Sequence, residues 1–149
     1  MTRTAAREMC MRMVYAMGFA VSDADTALDT AFDVEYYSSL AGEDDLYGDY
    51  PDEAQKDYVT RLFAGVEEHC AELDTYIEKY AKGWKFSRIS RTAAAVMRIC
   101  MYEVLYMQDV PTAVAVNEAV ELAKKYDTPE TVSFVNGVLG SFVRGETAQ

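Results

Sequence analysis

The chain has 149 residues, half of them apolar and about a quarter charged, with a formal net charge of −11. That length suits one domain with a substantial core, and the composition is that of an ordinary soluble globular protein. No run approaches the roughly 20 apolar residues that span a bilayer, and Arg7, Glu8 and Arg12 interrupt the apolar start too early for a signal peptide.

The periodicity is helical nearly throughout. From about residue 3 to 18, Ala6, Met9, Cys10, Met13 and Met17 recur at spacings of three and four, which predicts a helix with one buried face. Ser22 followed by Asp25 predicts the next helix start, with Ala24, Leu28, Ala31 and Phe32 on its apolar side. Residues 38–51 lose this period; two glycines, a proline and a run of acids predict a solvated acidic loop. Asp52 then caps a long helix through Val59, Phe63, Val66, Cys70, Leu73, Ile77 and Tyr80, with a break expected near Asp74.

Ser90 to Met107 differs from the rest. Between Ala93 and Met107 only Arg98 and Glu103 are charged, and apolar residues occur on every face. A helix apolar all round is one wrapped by others, so this segment is expected to be the central helix, with Arg98 a satisfied core arginine. Pro111 and Thr112 start another helix, in which Glu121 is placed to pair with Lys125 one turn later. Thr128 and Pro129 start the last, with proline at the first helical position where its missing N–H does no harm. Residues 145–149 are expected to form a flexible tail. With no strand pattern, the fold class is all-α.

Charge is unevenly placed. Residues 22–57 hold twelve acids against the single base Lys56, while residues 79–102 hold six bases (Lys79, Lys82, Lys85, Arg88, Arg91, Arg98) and no acid. Bases interleaved with Tyr80, Trp84 and Phe86 combine phosphate neutralisation with aromatic faces able to stack nucleobases, which single-stranded RNA binding requires. The plainer reading makes the bases a solvated connector, and for Trp84 and Phe86 a place in the core is preferred. On the first helix Arg3 and Arg7 lie about 40° apart and Arg12 about 140° from Arg7, so the first two share a face. Two cations at a helix N-terminus oppose its dipole, which suggests that they serve a partner.

Catalysis finds little foothold. The sole histidine, His69, neighbours Cys70, but consecutive helical residues do not face each other. One histidine cannot furnish the paired Glu-x-x-His motifs of a bundle di-iron site, and no phosphate-binding glycine loop or zinc spacing occurs. Cys10, Cys70 and Cys100 are odd in number and set among apolar neighbours, which predicts reduced thiols and a cytoplasmic protein. No enzyme, cofactor or metal is expected.

Near the C-terminus "SFVNGVLGSFV" (133–143) sets Asn136 and Gly137 inside an apolar helix, where glycine costs about 1 kcal/mol relative to alanine. Together with "AREMCMRMVYAM", "LFAGVEEHCAELDTYI", "MRICMYEV" ahead of a proline, "NEAVELAK" (117–124) and "FVNGVL" (134–139), in this order, the chain resembles the NusB family over nearly its whole length, apart from the acidic loop and the last few residues. The resemblance implies two three-helix bundles packed across each other around a central helix, sharing long helices. It also implies a non-catalytic RNA-binding adaptor in transcription antitermination, chiefly in ribosomal RNA operons. Such an adaptor pairs with the ribosomal protein NusE, binds boxA-type single-stranded RNA, and acts indirectly on the RNA polymerase elongation complex; monomers and homodimers both suit the fold.

The RNA contacts implied on this chain are Arg3, Arg7, Lys124, Lys125 and Phe134, with Asn136, Arg88 and Arg91 as further candidates. Phe134 would stack a base, Asn136 would bond RNA or a neighbouring helix end, and Gly137 is expected to let a neighbouring helix approach closely. The chain also departs from the family. The arginine cluster usual before "ARE" is reduced to Arg3, Thr4 and Ala5, and Ala93 stands where the family tends to carry an acid in the region that meets NusE. Three or four phosphate contacts would give a salt slope of only about −2 to −3, so weaker RNA affinity is expected unless the basic ledge at 79–91 compensates. The alternative is a diverged protein-interaction module with weak or no RNA binding, in which the acidic segment docks a basic partner or covers the ledge.

Overall fold

The structure is a computed structural model that describes residues 1–17 and 23–147. Among these residues there are eight α-helices and no strand: α1 (Arg3–Met17), α2 (Ala24–Ala31), α3 (Val34–Leu40), α4 (Glu53–Glu68), α5 (Cys70–Tyr80), α6 (Arg91–Tyr106), α7 (Thr112–Tyr126) and α8 (Pro129–Glu146). None is long and apolar enough to cross a membrane. The chain divides into two compact units, Met1–Glu67 and Glu68–Gln149.

In the first unit, the expected start of α2 at Ser22 lies outside the described residues. Asp23 caps this helix, accepting the Thr26 N–H at 2.9 Å. Asp33 caps α3 by the same bond to Tyr36, and Asp52 caps α4 through Gln55, both at 2.9 Å. Asp44 caps a 3-10 turn, Asp45–Tyr47, through Leu46 at 3.0 Å. Asp25, Glu35, Asp45 and Glu53 occupy first turns, where the helix dipole favours an anion. Much of the acidic segment is therefore helix-start chemistry, each cap contributing about 0.5–2 kcal/mol.

The expected loop at 38–51 is also more ordered than its composition suggests. Residues 38–40 finish α3, and the remainder folds onto aromatic rings. Tyr37 is 2% exposed, meets Tyr47 and Tyr50 edge-on at 5.2 and 5.1 Å, and donates to the Asp49 carbonyl at 2.7 Å; burial pushes its phenol up to about 12. Arg12 pairs with Asp44 at 2.6 Å. The tyrosines turn a stretch that reads as polar into a packed one.

In the second unit α6 packs against α5, α7 and α8, the central role expected of a helix apolar on every face. Ala93, Ala95, Val96, Met97, Ile99, Cys100 and Met101 are all within 1% of full burial. Arg98 is satisfied by a two-pronged pair with Asp74, Nε to Oδ1 at 2.7 Å and Nη2 to Oδ2 at 3.0 Å. The long helix breaks at His69, five residues before the position expected, and Asp74 lies inside α5 as the Arg98 partner. No glycine or proline marks that break.

Of the expected tail at 145–149, residues 148–149 lie outside the described residues, while Gly145 and Glu146 belong to α8. Glu146 takes the Lys79 ammonium at 2.7 Å, and the Tyr80 hydroxyl donates to the same oxygen. A Cβ at Gly145 would stand 2.8 Å from Tyr80 Cζ, so only glycine lets the ring lie there. The three cysteines are free thiols; Cys10 and Cys100 are buried, and burial pushes the half-buried Cys70 thiol up.

Candidate nucleic-acid interface

The candidate residues of the second unit gather at one end, where α6 and α8 begin and α7 finishes. Ser90 holds this end together: its hydroxyl accepts the Ala93 N–H at 3.0 Å and donates to Asp127 Oδ2, just past α7, at 2.8 Å. Thr128 beside it caps α8 through the Thr131 N–H at 3.2 Å. Before α6, a 3-10 turn, Phe86–Arg88, follows the left-handed Gly83 (φ 83°) and lifts Trp84 off the helix surface.

Trp84 is 48% exposed, which corrects the expectation that it belongs to the core. Its ring lies 4.8 Å from that of Phe134, inclined by 51°, so the two form an aromatic corner. Trp84, Phe134, Arg88, Ile89, Ser90, Ala93, Glu130 and Thr131 enclose a pocket of about 250 Å³. Phe86 is half-buried, with the Arg98 guanidinium 5.7 Å from its ring.

The charged candidates divide sharply. Arg88 and Arg91 are exposed at the pocket end. Lys124 and Lys125 are exposed on the last turn of α7; Lys124, rather than Lys125, pairs with Glu121, at 3.1 Å. Lys79 is engaged by Glu146. In the first unit Arg3 and Arg7 share a face as expected, their guanidinium carbons 4.0 and 5.4 Å from the Tyr58 ring centre. Arg7 is only 2% exposed, however, so its guanidinium is buried against the Tyr58 side rather than offered at the surface as expected. Arg3 is half-buried and donates from Nε to Gln55 Oε1 at 3.0 Å.

Asn136 and Gly137 lie exposed on α8, and a Cβ at Gly137 would meet nothing within 4 Å. The expected close helix approach is absent, because the apolar face of α8 is made by Val135, Val138, Leu139 and Phe142. Gly137→Ala should therefore raise thermal stability by about 0.5–1 kcal/mol through helix propensity, read as an upward shift in Tm. Any loss of RNA affinity in the same variant would show that the bare backbone is what the position supplies.

A larger cavity, about 500 Å³, lies in the first unit against Met9, Met13, Met17, Ala27 and Phe63. Its wall arginine, Arg12, is already paired with Asp44 and Glu8. That cavity also has aromatic rings, but its arginine is held over Tyr47 and paired with acids, whereas the Trp84 pocket has Arg88 exposed beside its aromatic corner. Among the described residues no group of three His, Cys, Asp or Glu side chains is placed to hold a metal.

Comparison with known proteins points the same way. The NusB family model matches residues 4–144. The transcription antitermination protein NusB of Clostridium kluyveri is 35% identical over 152 residues, covering 98% of this chain and 97% of its own length. That of Symbiobacterium thermophilum is 39% identical over 145 residues, covering 97% and 91%. The solved structure of T. maritima NusB matches with a TM-score of 0.81 at 26% identity, over 99% of this chain and 94% of that one. A chain from the crystal structure of the antitermination factors NusB and NusE in complex with dsRNA matches with a TM-score of 0.74, over 95% and 96%. At 18% identity that likeness concerns the fold alone.

Proposed function

Because the chain belongs to the NusB family, we propose that it is a non-catalytic RNA-binding adaptor of transcription antitermination, engaging boxA-type single-stranded RNA together with NusE and acting through them on RNA polymerase. The observation that carries the RNA-binding half of this reading is the aromatic corner of Trp84 and Phe134, set beside Arg88 and Arg91. Stacked bases and neutralised phosphates are the two needs of single-stranded RNA, and both are met at one end of the second unit. Lys124, Lys125 and Asn136 extend the contact. In the first unit Arg3, half-buried beside Tyr58, is a separate candidate for RNA.

Against the interaction-module alternative, most acids of the segment have a local role in starting helices, which accounts for their number without a basic partner. The test is fluorescence anisotropy of a labelled boxA-type RNA at two salt concentrations, with and without NusE. Salt-sensitive binding that tightens with NusE is the expected result. Arg91→Ala should flatten the salt slope by about 0.7, the value for one single-strand phosphate contact. NusE binding without any RNA binding would favour the interaction-module reading.

A further inference from the structure

We propose that the pocket between α6 and α8 is selective for a guanine base. The inference rests on the RNA-binding reading and specifies it at one nucleotide. The pocket volume, about 250 Å³, suits a single base. Its two rings meet as a corner, so a base stacks on the exposed face of Trp84 while its edge turns toward the polar wall.

That wall carries opposite charges with nothing to do inside the protein. Arg88 and Glu130 both line the pocket, and among the described residues neither takes a hydrogen-bond or ion-pair partner through its side chain, the other included. Of the other polar side chains, Ser90 is committed to Ala93 and Asp127, Thr131 accepts from Thr128, and the Trp84 indole N–H lies in the plane of the stacking ring rather than toward a base on its face. Ile89 and Ala93 complete the lining without polar side chains. The charged groups that face a ligand are therefore one guanidinium and one carboxylate.

Among the four bases, guanine answers both. Its O6 and N7 are a pair of acceptors for a guanidinium, and its N1–H and N2–H₂ are a pair of donors for a carboxylate. Adenine has no such donor pair, and cytosine and uracil lack the O6/N7 edge. Glu130 would repel a phosphate placed on it, so its presence in the wall favours a base edge over backbone. The pyrimidines would also stack less area on the indole.

Trp84 is the sole tryptophan, so its fluorescence reports occupancy of this pocket without a label. The full chain is titrated with seven-nucleotide uridine RNAs carrying guanine, adenine, cytosine, inosine or no change at the centre, with boxA-type RNA anisotropy in parallel. The guanine oligomer should quench Trp84 and bind about tenfold tighter than the adenine, cytosine and uridine ones, one bidentate pair giving about 5- to 150-fold. Inosine, which lacks the N2 amino group, should lose most of that advantage. Glu130→Gln and Arg88→Ala, both surface changes checked by circular dichroism, should each narrow the preference to about threefold or less. Equal affinity for all centres, or a guanine preference that survives both substitutions, overturns the assignment while boxA binding persists and the adaptor reading stands. Failure of every RNA to bind, boxA included, overturns both.

Discussion

Asp74→Ala is expected to destabilise the second unit by about 3 kcal/mol, measured as a fall in the urea midpoint followed by helical circular dichroism. The loss is larger than that of a surface ion pair because the Arg98 side chain is 19% exposed and that of Asp74 27%. Removing the carboxylate strands a guanidinium on the crowded central helix, with two donors that had bonded at 2.7 and 3.0 Å. The cost is mainly that of the orphaned charge, so combining the change with Arg98→Met should recover most of it. A double variant no more stable than Asp74→Ala would show instead that the pair itself holds α5 to α6. Because neither Asp74 nor Arg98 lines the pocket, RNA affinity measured well below the midpoint should change little in either variant.

Phe142→Ala should cost about 3–5 kcal/mol, the range for emptying a fully buried aromatic site. Phe142 is fully buried, with Tyr76 and Tyr80 edge-on to it at 5.4 and 6.1 Å. Collapse into the void is hindered because Tyr80 is tethered to Glu146 and lies against Gly145. Phe142→Leu, which retains most of the volume, should lose less than half as much. A Phe142→Ala variant within about 1 kcal/mol of the parent, on the scale of ordinary surface changes, would mean that the α5–α8 seam closes over the gap.

Features set by local chemistry are legible in the amino-acid sequence alone. Ser90, Asp52 and the Thr128–Pro129 pair announce helix starts because capping is settled within three residues, and the all-round apolarity of residues 93–107 announces a central helix. What depends on distant partners is not legible. Arg7 reads as exposed because its ring partner, Tyr58, is remote in sequence. Trp84 reads as core because its neighbours are aromatic, whereas the turn after Gly83 holds it half in solvent. Gly137 carries the same letter as Gly145, yet one faces open space and the other a tyrosine ring. The pocket itself is half visible: Phe134 and Arg88 stand out in the sequence, whereas Glu130 acquires meaning only because α8 begins beside α6.

The acids of residues 22–57 can also be viewed as punctuation. In that span the chain begins three helices and a 3-10 turn, and each beginning uses an aspartate cap with an acid following it. The charge of −11 is thus to a large extent a by-product of how often the backbone must restart. Exchanging these residues for lysine to adjust the isoelectric point would erase the punctuation marks, whereas Asp29 and Glu43, which start nothing, could be recoloured freely; Asp57 could not, because it pairs with Arg61 one turn on at 3.8 Å.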